Sequence, residues 1–176
     1  MENKEINRIS IIGGPGTGKT TLADKLGKKL HIPVYHLDGI HHLENWVPRD
    51  KEERDKMILE IAKKEKWIMD GTYKSTLEER VKKSDMIIFL KYSKFSRIKG
   101  IMERYLKNRN KEKPEIPGCK EKMNKEFFKF TFCWDKTNRN IVQEILENYK
   151  DKEIYIFRNR KQLHKWYREV YVLSKI

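Results

Sequence analysis

The sequence is poor in several things, and each scarcity narrows the reading. Cysteine occurs twice, at Cys119 and Cys133. The two form neither a close metal-ligand pair nor a disulfide framework, so both are expected to be free thiols. No apolar run approaches the ~20 residues of a membrane span, and no signal-peptide pattern opens the chain, which predicts a cytoplasmic protein. Histidines cluster at His36, His41 and His42, but no acidic or thiol ligands stand at zinc-like spacing, so no metal site is expected there. No Asn-Lys-x-Asp sequence is present to read guanine. Acidic charge is short: 26 Asp and Glu face 40 Lys and Arg, a net charge of +14.

The 176 residues suit one domain with a sizeable core. The basic excess is densest over 91–136, with 14 Lys and Arg against 6 Asp and Glu. Such charge attracts nucleic acid non-specifically. It also suits a solvated surface with a few arginines for nucleotide phosphates. The excess is mostly lysine spread over helical faces, without a nucleic-acid reading motif, which favours the second account.

Strand and helix patterns alternate throughout. Strands are expected at 8–12, 33–37, 66–69, 86–90 and 153–157. Helices are expected at 19–30, 50–64 (capping box Asp50 to Glu53), 75–83 (capping box Ser75 to Glu78), 93–108, 125–149 and 161–171. The 125–149 segment is ambiguous at its start. Phe128, Phe130, Phe132 and Trp134 alternate as in a strand, whereas Phe127, Phe130, Trp134, Ile141 and Ile145 form a longer helical stripe, and helix is preferred. Residues 109–122, with Pro114, Pro117 and Gly118, read as an exposed, mobile loop. The alternation predicts an α/β fold with a parallel sheet covered on both faces, binding its ligand beyond the strands' carboxyl ends.

One motif carries chemistry. Residues 13–21, GGPGTGKTT, follow the first strand and open a helix, fitting G-x-x-x-x-G-K-[ST]. Gly13, Gly14, Gly16 and Gly18 give the backbone freedom to turn its N–H groups inward around phosphate, with Pro15, Thr17 and Thr21 completing the loop. Lys19 would reach the β- and γ-phosphates of ATP, and the Thr20 hydroxyl would bind Mg²⁺.

Polar residues end three other strands. Asp70, in WIMDG, is expected to support Mg²⁺. Asp38, in VYHLDG, is either a base for a hydroxyl acceptor, a metal-shell residue or a turn cap; an already anionic phosphate acceptor would need no base. Arg158, in FRNR, is expected to stack on the nucleotide base. Arg104 and Arg109 on one side of the 109–122 loop, and Arg139 on the other, are candidate clamps for the transferring phosphoryl group if that loop closes as a lid. Arg49 and Arg80 are weaker candidates for acceptor binding, and Trp46 and Tyr73 for an acceptor pocket.

The segments GGPGTGKTTLADKL, PVYHLD, WIMDGTY, DMIIFL, the Arg104–Arg109 helix and loop, and IYIFRNRKQL resemble, in the same order, adenylate-kinase-like phosphate-loop kinases. Within these they are most similar to the group of DNA topology modulation proteins. The resemblance spans essentially the whole chain. It implies a three-layer fold with a five-stranded parallel sheet, an acceptor-binding segment at about 39–66, a lid at about 109–122, and Mg²⁺ with ATP. It departs at Asp70-Gly71-Thr72-Tyr73, where adenylate kinases continue Asp-Gly-Phe-Pro-Arg, and the lost arginine argues against AMP as acceptor. No motif singles out a strand-cleaving tyrosine. The expected function is an ATP-dependent small-molecule kinase, with nucleosides and nucleotides among the candidate acceptors. The alternative is a nucleotide-binding regulator that associates with DNA or RNA.

Overall fold

The structure, a computed structural model, describes residues 5–122 and 124–171. Five strands form one parallel sheet: β1 (Arg8–Gly13), β2 (Val34–His36), β3 (Trp67–Asp70), β4 (Met86–Leu90) and β7 (Glu153–Phe157), in the order β2-β3-β1-β4-β7. The continuous apolar runs explain the arrangement. Ile9, Ile11, Ile12, Ile68 and the whole of β4 are buried, as strands covered on both faces must be.

Helices α1 (Lys19–Leu30) and α8 (Arg160–Tyr171) cover one face through Leu22, Leu26, Leu163 and Trp166. Helix α4 (Lys74–Lys83) and the long helical segment at 125–147 cover the other through Leu77, Val81, Trp134 and Val142. A third cluster, Leu37, Ile58, Ala62, Trp67 and Met69, seats helix α3 (Lys51–Ala62) beside the edge strand. Asp50 caps α3, accepting from the backbone N–H of Glu52 (2.9 Å) and Glu53 (3.0 Å). Helix α5 (Lys94–Asn108) is capped by Ser93, which accepts from Ser96 N–H.

Several expectations are corrected. The second strand stops at His36, because Leu37 turns into the short helix α2 (Leu37–His41); Asp38 therefore sits in a helical turn instead of at a strand end. Ser75 does not cap α4, which starts one residue earlier with Tyr73 at the cap position and no side-chain cap. The 109–122 loop is a hairpin, β5 (Glu112–Lys113) with β6 (Ile116–Lys120), and it buries Ile116 and Cys119. Strands this short, broken by Pro117 and Gly118, leave no readable alternation.

The 125–147 segment is helical, but not one α-helix. A π-turn (Asp135–Arg139) joins α6 (Lys125–Trp134) to α7 (Asn140–Glu147). The π-turn inserts an extra residue, so Val142 and Leu146 follow Trp134 into the core, with Ile145 half-buried against it and Ile141 exposed. Phe128, Phe130 and Phe132 remain exposed.

Candidate active site

The carboxyl ends of the sheet strands open into a cleft of about 1490 Å³, lined by the phosphate loop, α2, α3, the hairpin, α5 and α6. Gly13 ends β1 between its neighbours β3 and β4, and the loop turns at Gly16 (φ 73°) and Gly18 (φ 91°) into α1. Gly16 lies so close to α5 that an added Cβ would stand 2.3 Å from Arg97 O, and one on Gly100 would stand 2.0 Å from Gly16 O. The loop and α5 are thus in backbone contact. Thr17 Oγ1 donates to Gly14 O (2.8 Å), and the Lys19 ammonium donates to the same carbonyl (3.0 Å). Enclosure pushes the Lys19 pKa down, and Asp38 and Asp70 push it back up, for a net fall.

Thr20 Oγ1 donates to Asp70 Oδ2 at 2.9 Å. The hydroxyl at the first turn of α1 and the carboxylate at the end of β3 therefore stand together, as hard oxygen ligands for Mg²⁺ must. Among the described residues no three or more metal-ligating side chains converge, so such an ion would take its other ligands from phosphate and water. The donor set fits Mg²⁺ with a nucleotide.

His36 was not foreseen at this site. The parallel register sets it beside Asp70, and its Nδ1 lies 2.5 Å from Asp70 Oδ1 while Nε2 lies 3.1 Å from Asp24 Oδ1. Burial opposes its charge, but the Asp70 hydrogen bond and the charges of Asp70 and Asp24 outweigh that and raise its pKa. Only the pairing register of two strand ends gives this away, and spacing along the sequence does not encode register.

Asp38 faces the cleft from α2. The surrounding protein disfavours its charge. The ammonium groups of Lys19 and Lys113 and a hydrogen bond from Tyr73 Oη to Asp38 Oδ1 (2.8 Å) do more, so its pKa lies below the ordinary carboxylate value. Although enclosed by these charged groups, its carboxylate stays open to the water of the cleft. Tyr73 is held in place from behind. Arg80, fully buried, donates to the carbonyls of Gly71 (3.2 Å), Thr72 (2.7 Å) and Tyr73 (3.4 Å), and burial lowers its pKa to about 10. Arg80 is thus a clamp on the backbone of the loop that carries Tyr73, and its guanidinium is not available to an acceptor. Arg49 likewise serves local structure, bonding Ile40 O and Glu53.

The expected arginines divide. Arg104 lines the cleft, paired with Glu121 (3.0 Å). Arg109 is exposed at the end of α5 and Arg139 is turned inward on Tyr92 O (3.0 Å) and Asp135 (2.9 Å); neither lines the cleft. Arg158 is exposed outside the lining, and Arg160 takes the place beside Gly100, bonded to Glu103 (2.7 Å). The two-residue difference arises because α8 begins at Arg160, turning that side chain back toward the cleft. Cys119 and Cys133 are free thiols.

A family model of the ATPase family associated with various cellular activities (AAA) matches residues 9–91, the stretch from β1 through β4. No curated protein matches the chain. Among solved structures, the shikimate kinase from Acinetobacter baumannii in complex with shikimate aligns with a TM-score of 0.58 at 15% identity, over 98% of this chain and 97% of that one. The shikimate kinase from Bacteroides thetaiotaomicron aligns at 0.53 and 19% identity, over 98% and 100%. A gluconokinase from Sinorhizobium meliloti 1021 aligns at 0.51 and 16% identity, over 94% and 90%. The fold is that of the phosphate-loop kinases. No helix among the described residues is long and apolar enough to cross a membrane.

Proposed function

We propose that this protein is an ATP-dependent kinase that phosphorylates a hydroxyl group of a small molecule. The observation that carries the reading is Asp38, a carboxylate held ionised across the cleft from the phosphate loop, within electrostatic reach of Lys19 and hydrogen-bonded by Tyr73. A hydroxyl acceptor must lose a proton as it attacks, and an ionised carboxylate in the same cleft takes it. Two of the solved structures of this fold are, by name, a shikimate kinase and a gluconokinase.

In this mechanism the loop N–H groups and the α1 N-terminus hold the ATP phosphates. Thr20 and Asp70 would hold Mg²⁺, which when bound offsets phosphate charge. The acceptor oxygen attacks the γ-phosphorus while its proton passes to Asp38 Oδ; the bond from the γ-phosphorus to the bridging oxygen breaks, and ADP leaves. Lys19 and Arg104 neutralise charge on the transferring group. The hairpin, packed on the acceptor segment, excludes water.

The test is transfer from γ-labelled ATP to a panel of nucleosides, nucleoside monophosphates and hydroxylated metabolites. Label on an alcohol, lost in Lys19→Ala, supports the reading. Transfer only to the phosphate of monophosphates, giving diphosphates, or to none with ATP still bound, overturns it.

A second reading, the nucleic-acid association implied by the likeness to the topology modulation group, draws on one surface feature. Phe95 and Phe132 are exposed beside the Lys94 ammonium (5.3 and 4.7 Å), and Phe128 lies one turn from Phe132. Aromatic faces among lysines suit stacking on single strands. Binding of a labelled oligonucleotide that weakens steeply with salt and is lost in Phe132→Ala would support it; binding unaffected by that change would not.

A further inference from the structure

The kinase reading leaves the acceptor unnamed, and the acceptor side of the cleft has a distinct chemistry. Four rings run in an unbroken series along it. Tyr73 meets His41 (5.4 Å), His41 meets His42 (4.4 Å), and His42 meets Trp46 (5.2 Å). All four residues line the cleft. Desolvation is the largest cause for both histidines and, although the Asp38 charge opposes it, the pKa of each is lowered, so the series is uncharged near neutral pH.

Cations rim these rings. Lys113 lies 5.2 Å and Lys122 5.5 Å from the Trp46 ring, and Arg54 lies 5.1 Å from the Tyr73 ring. Lys113 is buried and answers Glu115 (3.2 Å) and the Asp38 charge; Arg54 answers Asp55 (2.6 Å). Lys122 and Lys51 also line the cleft, and no carboxylate among the described residues pairs with either. Across the whole lining, nine basic side chains face four acidic ones.

The backbone is distorted to present one of these rings. Asn45 and Trp46 both have positive φ (57° and 64°), a costly conformation for a tryptophan. Trp46 is fixed there by the hairpin, donating from N–H to Cys119 Sγ (3.2 Å) and from Nε1–H to Lys120 O (3.1 Å). The hairpin that delivers Lys113 and Lys122 thus also locks the indole between them.

Resting on the kinase reading, the geometry points to an anionic ring alcohol as the acceptor: a molecule with a hydroxyl for Asp38, a flat body for the ring series, and a carboxylate or phosphate for the Lys113–Lys122 rim. The carboxylate and the phosphate share the chemistry that the rim recognises. A neutral sugar or nucleoside leaves the rim unanswered.

Calorimetric titration and phosphoryl transfer from ATP separate this inference from the reading beneath it. The probes are hydroxymethyl benzoates and hydroxycyclohexene carboxylates, the same alcohols as phosphate monoesters, and their neutral primary amides. The expected result is binding of an anionic probe at least about tenfold tighter than its amide, equivalent to one well-placed charge pair. Lys122→Glu should abolish or invert that preference, and Trp46→Ala should weaken anionic and neutral probes alike. Which anionic series binds tells carboxylate from phosphate. Equal binding of acids and amides overturns the inference, and if amides are phosphorylated the kinase reading stands without it. Preferential binding of the acids without transfer to any alcohol overturns the kinase reading while the anion-selective ring site remains.

Discussion

The two walls of the cleft are built by opposite means. On the side proposed to hold phosphate the wall is a glycine-rich backbone loop at the end of a buried parallel sheet, and backbone touches backbone where Gly100 meets Gly16. On the acceptor side the groups are side chains carried by a short helix, a 3₁₀ turn (Glu44–Trp46), the cap of α4 and a small hairpin, with Asn45, Trp46 and Tyr73 at positive φ. In the proposed mechanism the phosphate side would present one shape to any nucleoside triphosphate. The acceptor side is shaped by particular rings and charges, where selectivity between acceptors belongs.

The largest expected effect attacks the phosphate side. Lys19→Ala should lower kcat/KM for ATP by about 10³-fold, as loss of a charge-stabilising donor does, with an unchanged circular dichroism spectrum. Near-normal turnover in the folded variant would remove the phosphate loop from the chemistry. Next, Asp38→Asn should cost about 10²-fold in kcat with ATP affinity retained, because it deletes the proton acceptor and leaves the loop whole. If ATP affinity falls instead and kcat is kept, Asp38 belongs to the phosphate side and the division fails.

A smaller effect is expected from Gly39→Ala. Its Cβ would stand 2.2 Å from Glu115 O, where the hairpin meets α2. Displacing the hairpin should raise the acceptor KM by about tenfold, equivalent to about 1.4 kcal/mol, and leave the KM for ATP near its original value. Equal changes in both would mean that the hairpin serves the two sides together.

The smallest effect concerns pH. His36 has a pKa raised above its ordinary 6.5, so its imidazolium contributes stability that is fully present below about pH 6.5 and is lost as pH rises through the raised value. Urea midpoints of the wild type and His36→Asn should therefore converge with increasing pH over that window. A constant gap would show that His36 acts by packing and not by charge.

The same division explains what the sequence shows. GGPGTGKTT is contiguous, so the loop, Lys19 and Thr20 are readable as a string, and Asp70, 50 residues beyond Thr20, is readable as the polar end of an apolar strand. Strands β1, β3 and β4 are readable because buried parallel strands are nearly continuous apolar runs. The acceptor wall is not readable. Trp46 meets Lys113, and Tyr73 meets Asp38, across distant segments, and the pairing of Trp46 with Lys120 and Cys119 depends on a hairpin too short to leave a pattern. His36 joins the site through strand register, and Arg158 exchanges places with Arg160 because one helix starts a residue earlier than its pattern suggests. Arg80 and Arg139 show the converse failure: the sequence offers the first for acceptor binding and the second as a phosphoryl clamp, and both hold backbone carbonyls.

The π-turn at Asp135–Arg139 makes the chain length of that helix adjustable at one place. Each residue advances an α-helix by about 100°, but the π-turn absorbs one residue without that advance, so removing one from the turn would regularise the hydrogen bonding and leave everything beyond it where it is. Val142 and Leu146 would stay on the sheet beside Trp134. The segment is therefore open to the loss of one residue at the turn and closed to a change in residue number on either side of it, and alignments of relatives should carry their gap there.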